Sequence, residues 1–459
     1  MDFGTRTRFI LMFLLLLCLS SLWSNILAFN FAIICMTPSG NSSANEVDDT
    51  HSFTDGQTSL ATSTVAFAAL LANFPIVMLV NRLGARTIFS VLGLISSIAT
   101  LLLPTAIRIG FPWLLFCRFI QGIAFAANFP VIGAFTNKWT YYKQTGFFVS
   151  TLVAYVQLSP AITMPVSGAL CTVFGWPSVF YCHGSFCAVL FLIFAVFFTN
   201  SPQKHPFVGE KEISKISMGK SAVNKTLLRR IPFRAILTTP RVWAVWIAAL
   251  GNFTAVNLMF LYNPIYLSSV LGLSLHNTGF SAAIPPLSQF IVKLLSGFIS
   301  DRIKFISEVS KFRFFNSLAF FGSALFFILL SITPSDHKTL CLFFLGGAAG
   351  LLGTTTGGFY KAGPVISKQF SHFVTGNLSL TATATMLGVP FLVSGLTSYN
   401  SQEEWRWVFT TIAIIQIVTN IIFCLLIRGE PCEWTKDEWI QKNSVKDLNK
   451  ITMTQSSKC

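Results

Sequence analysis

The chain has 459 residues, of which 53% are hydrophobic and only 11% are charged, and its mean hydropathy is +0.65. A soluble domain carries roughly 25% charged residues because its surface must be wetted, so this composition excludes a soluble enzyme and a nucleic-acid-binding protein. The net charge of +15 does not indicate a polyanion partner, because the basic residues are scattered over many short loops.

Twelve apolar runs follow one another along the chain, and each approaches the length of about 20 residues that crosses a bilayer core. They lie at 9–36, 59–80, 87–107, 112–136, 146–170, 177–198, 242–266, 278–299, 314–332, 339–359, 374–397 and 405–427. The pattern predicts an all-α membrane protein with two six-helix halves, at 1–198 and 242–428. A polar linker at 199–241 joins the halves, and a polar tail follows at 429–459.

The first run admits a second interpretation, because Arg6 and Arg8 precede it as basic residues precede the core of a signal peptide. Its apolar character continues through Phe29–Met36, however, and the run is therefore longer than a signal core. Removing it would also leave an odd number of spans. We therefore expect this run to be retained as the first membrane-spanning helix.

The basic residues predict the orientation of the chain in the membrane. With the N-terminus inside, 27 of the 32 Lys and Arg residues fall on the inner side, an asymmetry typical of cytoplasmic loops. The first outer loop, 37–58, has four acidic residues and no Lys or Arg, and its sequon predicts glycosylation at Asn41. Both termini are accordingly predicted to be cytoplasmic.

Two short links between spans carry similar polar groups, with Asn81-Arg82 after the second span and Asp301-Arg302 after the eighth. A polar group at such a helix end can hold one half against the other and close the inner side, which predicts a latch for alternating access. The alternative is that these arginines only follow the charge rule. The predicted latch residues are Asn81, Arg82, Gly84, Arg86, Gly297, Asp301 and Arg302.

Residues that break helices occur inside several spans, and Pro165 with Gly168 predicts a bend in the fifth span. Such bends free backbone groups around a transporter cavity, although proline is also common in ordinary membrane helices. Cys171 and Cys182 flank the next outer turn and are candidates for a disulfide. The ten cysteines have no zinc-type spacing, so no metal site is predicted.

Several segments form motifs that extend over nearly the whole chain. They include Arg118-Phe119-Ile120-Gln121-Gly122, Lys138-Trp139, Met164-Pro165-Val166-Ser167-Gly168, Gly175-Trp176-Pro177-Ser178, Ser201-Pro202, His205-Pro206 and Glu212. These segments resemble the major facilitator superfamily and, more narrowly, its anion:cation symporter family, which includes sodium-phosphate cotransporters, sialin and vesicular glutamate transporters. The resemblance implies transport of organic or inorganic anions, driven by sodium, protons or the membrane potential.

The chain departs from that family at positions that are commonly charged or titratable. The matching motifs place Ile26, Thr62, Phe125 and Asn252 there. Thr62 and Asn252 keep a polar side chain and are candidate substrate-binding residues by this resemblance. None of the 17 acidic residues lies inside a predicted span, so proton coupling through a buried carboxylate is not expected.

Two cations remain inside the predicted spans, and both are candidate substrate-binding residues. Arg118 is placed about 9 Å from the outer end of the fourth span and offers a bidentate donor to a carboxylate or phosphate. Lys293 is placed about 12 Å from the inner end of the eighth span, where a bound anion would supply its missing counter-charge. The alternatives are that Arg118 bonds backbone carbonyls and that Lys293 extends to the inner interface.

The predicted function is secondary active transport of a small organic or inorganic anion by alternating access, with sodium or a proton as candidate coupling ions. The partners expected are the small-molecule substrate and the lipid bilayer of a plasma, vesicular or lysosomal membrane. No enzyme activity, cofactor or nucleic-acid partner is predicted. Two alternatives stay open: a carrier of a neutral polar solute, and a transport-incompetent sensor, suggested by Gln144-Thr145-Gly146 where the family usually has an acidic-basic-Ser signal.

Overall fold

The computed structural model describes residues 6–36, 53–141, 144–217, 232–303, 306–436 and 439. Within these ranges, twelve helices are long and apolar enough to cross a membrane, which confirms the predicted all-α class and the number of spans. We number them α1 to α12 in chain order: Thr7–Met36, Asp55–Leu83, Ala85–Ile109, Phe111–Trp139, Gly146–Phe174, Trp176–Phe197, Pro240–Val270, Leu275–Ser300, Glu308–Ile332, Lys338–Ser367, Phe373–Leu396 and Gln402–Leu426.

Local chemistry determines where several of these helices begin. Before α2, the Thr54 side chain accepts from the Gln57 backbone N–H while the Gln57 side chain accepts from the Thr54 N–H. Ser401 and Glu404 form the same capping box before α12. Each box satisfies two backbone donors that the first helical turn leaves without a partner, and it therefore defines the start of the helix.

The fourth helix of each half is interrupted in its middle. In α4, the helical segments Phe111–Phe125 and Asn128–Trp139 are separated by two residues. In α10, Lys338–Leu352 is followed by a 3-10 turn, Gly353–Gly357, before the helix resumes at Phe359. Interruptions in corresponding helices of two repeated halves are typical of transporter binding sites, because they expose backbone and side-chain polar groups at mid-membrane.

Both described ends of the chain lie on one face of the bundle, which we call the linker face; it carries residues 6–8, 199–217 and 428–436. The Thr7 hydroxyl donates to the Phe207 carbonyl at 2.9 Å, so the start of α1 lies beside the linker. The Trp434 indole donates to the Thr239 hydroxyl at 3.0 Å, so the tail, as far as it is described, packs on the second half. An even number of spans requires this arrangement.

The opposite face is the disulfide face, defined by the bond between Cys35 at the end of α1 and Cys171 near the end of α5. The predicted pairing of Cys171 with Cys182 is therefore wrong, and Cys182 is an exposed free thiol. The two nearest cysteines in this part of the sequence do not pair because α1 and α5 pack side by side and bring a more distant cysteine to Cys171.

Large apolar side chains cover the outside of the bundle. Phe74, Phe174 and Leu425 are 71%, 72% and 75% exposed, which would be costly in water and is favourable against lipid. The polar side chains instead collect between helices, and those that join the two halves form the site described below.

Candidate substrate-binding site

Hydrogen bonds join the two halves from the disulfide face to the middle of the bundle. On α2, Ser59 lies 3.5 Å from the Tyr262 hydroxyl of α7, and Ser63 donates to the Leu387 carbonyl of α11 at 3.2 Å. Deeper in the bundle, Gln157 of α5 donates to Gln289 of α8 at 3.1 Å. These hydrogen bonds hold the halves together on the disulfide side and in the middle of the bundle.

Gly168 and Gly279 bring α5 and α8 into backbone contact on the disulfide side. A Cβ atom added to Gly168 would lie 3.0 Å from the Gly279 Cα atom, and one added to Gly279 would lie 2.8 Å from the Met164 carbonyl oxygen. Gly168 was predicted to bend the helix together with Pro165. In the structure both residues lie within the continuous helical segment Tyr155–Phe174, and Gly168 provides the space for the opposite half.

Lys293 lies one helical turn beyond Gln289 towards the linker face. Its side chain is half-buried, and its ammonium nitrogen lies 6.0 Å from the centre of the Tyr360 ring. Among the described side chains, the ammonium group has no carboxylate within ion-pair distance and no hydrogen-bond acceptor. A cation at mid-membrane without a counter-charge is costly, and a bound anion would remove most of that cost.

The broken helix α10 positions this lysine. A Cβ atom on Gly353 would lie only 2.7 Å from the Gln289 carbonyl oxygen and 2.7 Å from the Lys293 backbone nitrogen. Only glycine therefore allows the α8 backbone to lie directly on the 3-10 turn. Asn316 accepts the Phe359 N–H at 3.3 Å, which satisfies one of the backbone donors that the interruption frees.

Tyr360, the ring nearest the Lys293 ammonium group, belongs to a cluster of aromatic residues from both halves. Tyr360 stacks on the neighbouring Phe359 ring at 4.3 Å and meets the edge of Phe253 at 6.4 Å. From the first half, Tyr155 packs edge-to-face with Phe129 at 6.5 Å and lies within electrostatic range of Tyr360. The rings provide an apolar wall whose faces attract a cation, and their hydroxyl groups add hydrogen-bonding capacity.

Asn128 completes this cluster at the interruption of α4. Its side chain is fully buried beside Tyr155, and neither its amide oxygen nor its amide nitrogen makes a well-formed hydrogen bond with the described residues. Unsatisfied buried amides mark places where a ligand or water supplies the missing partner. The cluster therefore unites polar groups from α4, α5, α8 and α10 at mid-membrane.

Arg118 is buried in the first half, where it holds three helices together. Its guanidinium donates to the Ile26 carbonyl of α1 at 3.1 Å, to the Ala61 carbonyl of α2 at 3.2 Å and to Gln121 of its own helix at 2.9 Å. It also lies over the Phe29 ring at 4.6 Å. One terminal nitrogen is left without a partner, but the other donors are used within the first half, as in the alternative that the sequence left open.

The two neutral candidates lie apart from each other. Thr62 donates to the Thr58 carbonyl at 2.9 Å and to the Asn30 side chain at 3.2 Å, so its hydroxyl is used between α1 and α2. Asn252 of α7 is 3% exposed, and its amide oxygen has no hydrogen-bond partner. Among the described residues, no hydrogen bond joins Thr62 or Asn252 to Lys293 or to the polar groups near it.

The predicted latch residues lie on the linker face but make no described contact across the halves. The Arg86 guanidinium donates to the Ala195 carbonyl of the first half at 2.9 Å, and its backbone N–H donates to Asn200 at the start of the linker at 2.9 Å. Arg302 lies over Phe298 of its own helix at 4.8 Å. Asn81, Arg82 and Leu83 are exposed, and Gly84 forms the following turn with φ +89°. Gly297 lies in α8, and the side chain of Asp301 is outside the described part of the chain.

Sequence reasoning missed Gln157, Gln289, Tyr155, Tyr360 and Asn128. The signal that could have found part of the cluster is the spacing of Gln289 and Lys293, because residues four apart share one helix face. The glycosylation prediction at Asn41 concerns a residue outside the described ranges.

The model of the major facilitator superfamily matches residues 8–362. The chain is 26% identical over 375 residues to vesicular glutamate transporter 2 of Mus musculus, covering 80% of this chain and only 64% of that protein. It is 28% identical over 353 residues to human sodium-dependent phosphate transport protein 1, covering 75% of this chain and 74% of that protein.

Two solved structures share the fold. A bacterial homologue of the human lysosomal transporter Spinster superimposes with a TM-score of 0.68 at 16% identity, covering 92% of this chain and 97% of that chain. The D-xylose-proton symporter gives a TM-score of 0.64 at 14% identity, covering 92% and 98%.

Proposed function

The chain belongs to the major facilitator superfamily, and we propose that it is a secondary active transporter of a small organic or inorganic anion that works by alternating access. The observation that carries this proposal is the half-buried Lys293 ammonium group, which has no counter-charge among the described side chains. Two relatives are named for the transport of glutamate and phosphate, which are both anions, and this supports the same substrate class.

The contacts between the halves suggest how the site opens. The halves are joined on the disulfide side and at Gln157–Gln289, so the substrate would enter or leave from the linker face in this conformation. In the alternate conformation, the contacts at Gly168 and Gly279 would separate while the linker face closes. The latch residues Arg86 and Asp301 are proposed to meet the facing half only in that second conformation.

The linker face is proposed to be cytoplasmic. The excess of basic residues on that side supports the orientation, and a disulfide on the opposite face fits an oxidising compartment. Glycosidase treatment should shift the wild-type protein on a gel, and the shift should disappear in Asn41→Gln. An epitope tag that is reached at the N-terminus without membrane permeabilisation would contradict the orientation, and microscopy against markers would separate plasma from vesicular or lysosomal membranes.

Uptake into proteoliposomes tests the transport proposal. Labelled inorganic phosphate and L-glutamate are offered under imposed sodium, proton and voltage gradients. Lys293→Gln should raise KM about 10–100-fold, since a hydrogen bond to a charged group is worth about 1.5–3 kcal/mol. Lys211→Gln, which removes an exposed charge from the linker helix Glu210–Ser217, should leave uptake unchanged. Uptake with the same KM in Lys293→Gln and wild type would refute the proposal that Lys293 binds the substrate, while the proposal of transport would stand.

The same assay separates the two alternative functions. A carrier of neutral solutes is favoured by the neutral amides and phenols around Lys293, and it would show uptake that is independent of membrane voltage. A sensor would be stabilised against heat by phosphate or glutamate and would show no flux in any gradient. Anion uptake that depends on Lys293 would exclude both alternatives.

A further inference from the structure

The hydrogen bond between Gln157 and Gln289 leaves one amide group available to a ligand. Gln157 donates through Nε2 to Gln289 Oε1 at 3.1 Å, and the two side chains are 6% and 3% exposed. The Gln289 oxygen is therefore used, while its Nε2 group makes no hydrogen bond with any described residue. Unlike Gln157 Oε1, this nitrogen is not fully enclosed by the protein.

Gln289 and Lys293 are four residues apart within the continuous helical segment Ile284–Arg302, and their Cα atoms differ by about 6 Å along the helix axis. Their side chains consequently lie on one helix face, which also faces the Gly353 turn and Tyr360. An ammonium group and an amide N–H separated by one helical turn form a pair of donors. Such a pair fits a ligand with at least two oxygen acceptors on one anionic group.

We propose that Gln289 contacts the transported substrate beside Lys293, that Gln157 positions the Gln289 amide from the opposite half, and that the substrate is consequently an oxyanion such as a carboxylate or phosphate. This inference rests on the proposed transport function and adds a second contact and a substrate class to it. Lys293 supplies the charge, while Gln289 supplies a directed hydrogen bond.

The hydrogen bond between Gln157 and Gln289 depends on the conformation of the carrier. Gln157 belongs to α5 and Gln289 to α8, so their hydrogen bond exists only while the two halves approach each other at mid-membrane. When the halves separate, the Gln289 amide loses the partner that orients it, and the oxyanion loses a directed donor. Affinity for the oxyanion is therefore coupled to the conformation of the carrier.

Isosteric methionine variants test the two roles, because methionine keeps the volume of glutamine and removes its hydrogen bonds. Uptake and thermal stabilisation are measured with L-glutamate and inorganic phosphate as separate probes, which distinguishes a carboxylate from a phosphate site. Gln289→Met should raise KM for the transported probe about 10-fold or more with little change in kcat. Gln157→Met should raise KM by a smaller factor. Gln157→Asn, which keeps an amide group, should have a KM between those of wild type and Gln157→Met.

Gln416→Met is the matched control, since Gln416 is a fully buried glutamine that donates to Ser323 within the second half. It should leave KM unchanged. If wild type transports or binds a probe and Gln289→Met has the wild-type KM, the inference is overturned while the transport proposal stands. If only Gln157→Met has the wild-type KM, the positioning role is overturned. If wild type neither binds nor transports any oxyanion, the proposed function fails and the inference fails with it.

Discussion

Replacing Gly168 by valine should hold the two halves apart on the disulfide face. A Cβ atom at this position would lie 3.0 Å from both the Gly279 Cα atom and the Leu275 carbonyl oxygen, against 3.4–4 Å for ordinary contact. The added methyl groups of valine enlarge the overlap, and overpacking of this kind costs about 1–3 kcal/mol. Because α5 and α8 belong to different halves, the cost falls only on the conformation in which they touch.

A cost of this size changes the ratio of the two conformations about 5- to 150-fold, since about 1.4 kcal/mol corresponds to a factor of ten. The shift is measured by the rate at which a membrane-impermeant thiol reagent modifies Ser59→Cys, because Ser59 is 3% exposed in the present conformation and faces Tyr262. The measurement uses a Cys182→Ser background, since Cys182 is exposed. Adding Gly168→Val should increase the labelling rate of the thiol at position 59 at least about 5-fold over the same background without this substitution.

Gly395→Val is the control for this experiment, because a Cβ atom on Gly395 meets no atom within 4 Å. Both variants carry the same general cost of a β-branched residue in a helix, so only the interhelical contact distinguishes them. Equal labelling rates in Gly168→Val and Gly395→Val would refute the reasoning that this contact closes the disulfide face.

Three further outcomes are expected. Arg118→Leu should lower the thermal midpoint strongly while leaving KM of the surviving protein unchanged, since its donors serve backbone carbonyls; a raised KM without loss of stability would show substrate contact instead. Burial lowers the pKa of His205, so the packing of this residue on the first half should weaken as the pH falls below about 6.5. Amide exchange in the linker helix should then become faster in the wild type, and this pH dependence should be absent in His205→Gln. Cys35→Ser should lower stability by about 2–4 kcal/mol, whereas Cys182→Ser should not.

The spans and their number could be predicted because the bilayer imposes one simple condition, a continuous apolar length, on every crossing. The same condition made Lys293 conspicuous, since a cation inside an apolar run is rare. Gln157 and Gln289 did not stand out, because uncharged polar side chains are common in such helices. Their partnership joins positions 132 residues apart and follows from the packing of the halves.

Arg118 and the cysteines show a second limit of prediction from the sequence. A cation inside a span is compatible with a ligand or with backbone carbonyls, and only the positions of Ile26 and Ala61 distinguish the two. Similarly, the nearest cysteine in sequence was the natural partner for Cys171, but Cys35, 136 residues away, is closer in space. Both cases depend on which helices are neighbours, and hydropathy does not encode that.

One helix carries features that act at every stage of the proposed cycle. Along α8, Gly279 touches the opposite half, Gln289 and Lys293 lie at the candidate site, and Asp301 follows at the end of the helical segment. From Gln289 to Asp301 the helix is continuous, and a short interruption at Ala283 separates this segment from Gly279. A compound bound against α8 would block the transport cycle in either conformation, and screening for inhibitors is best directed at this helix.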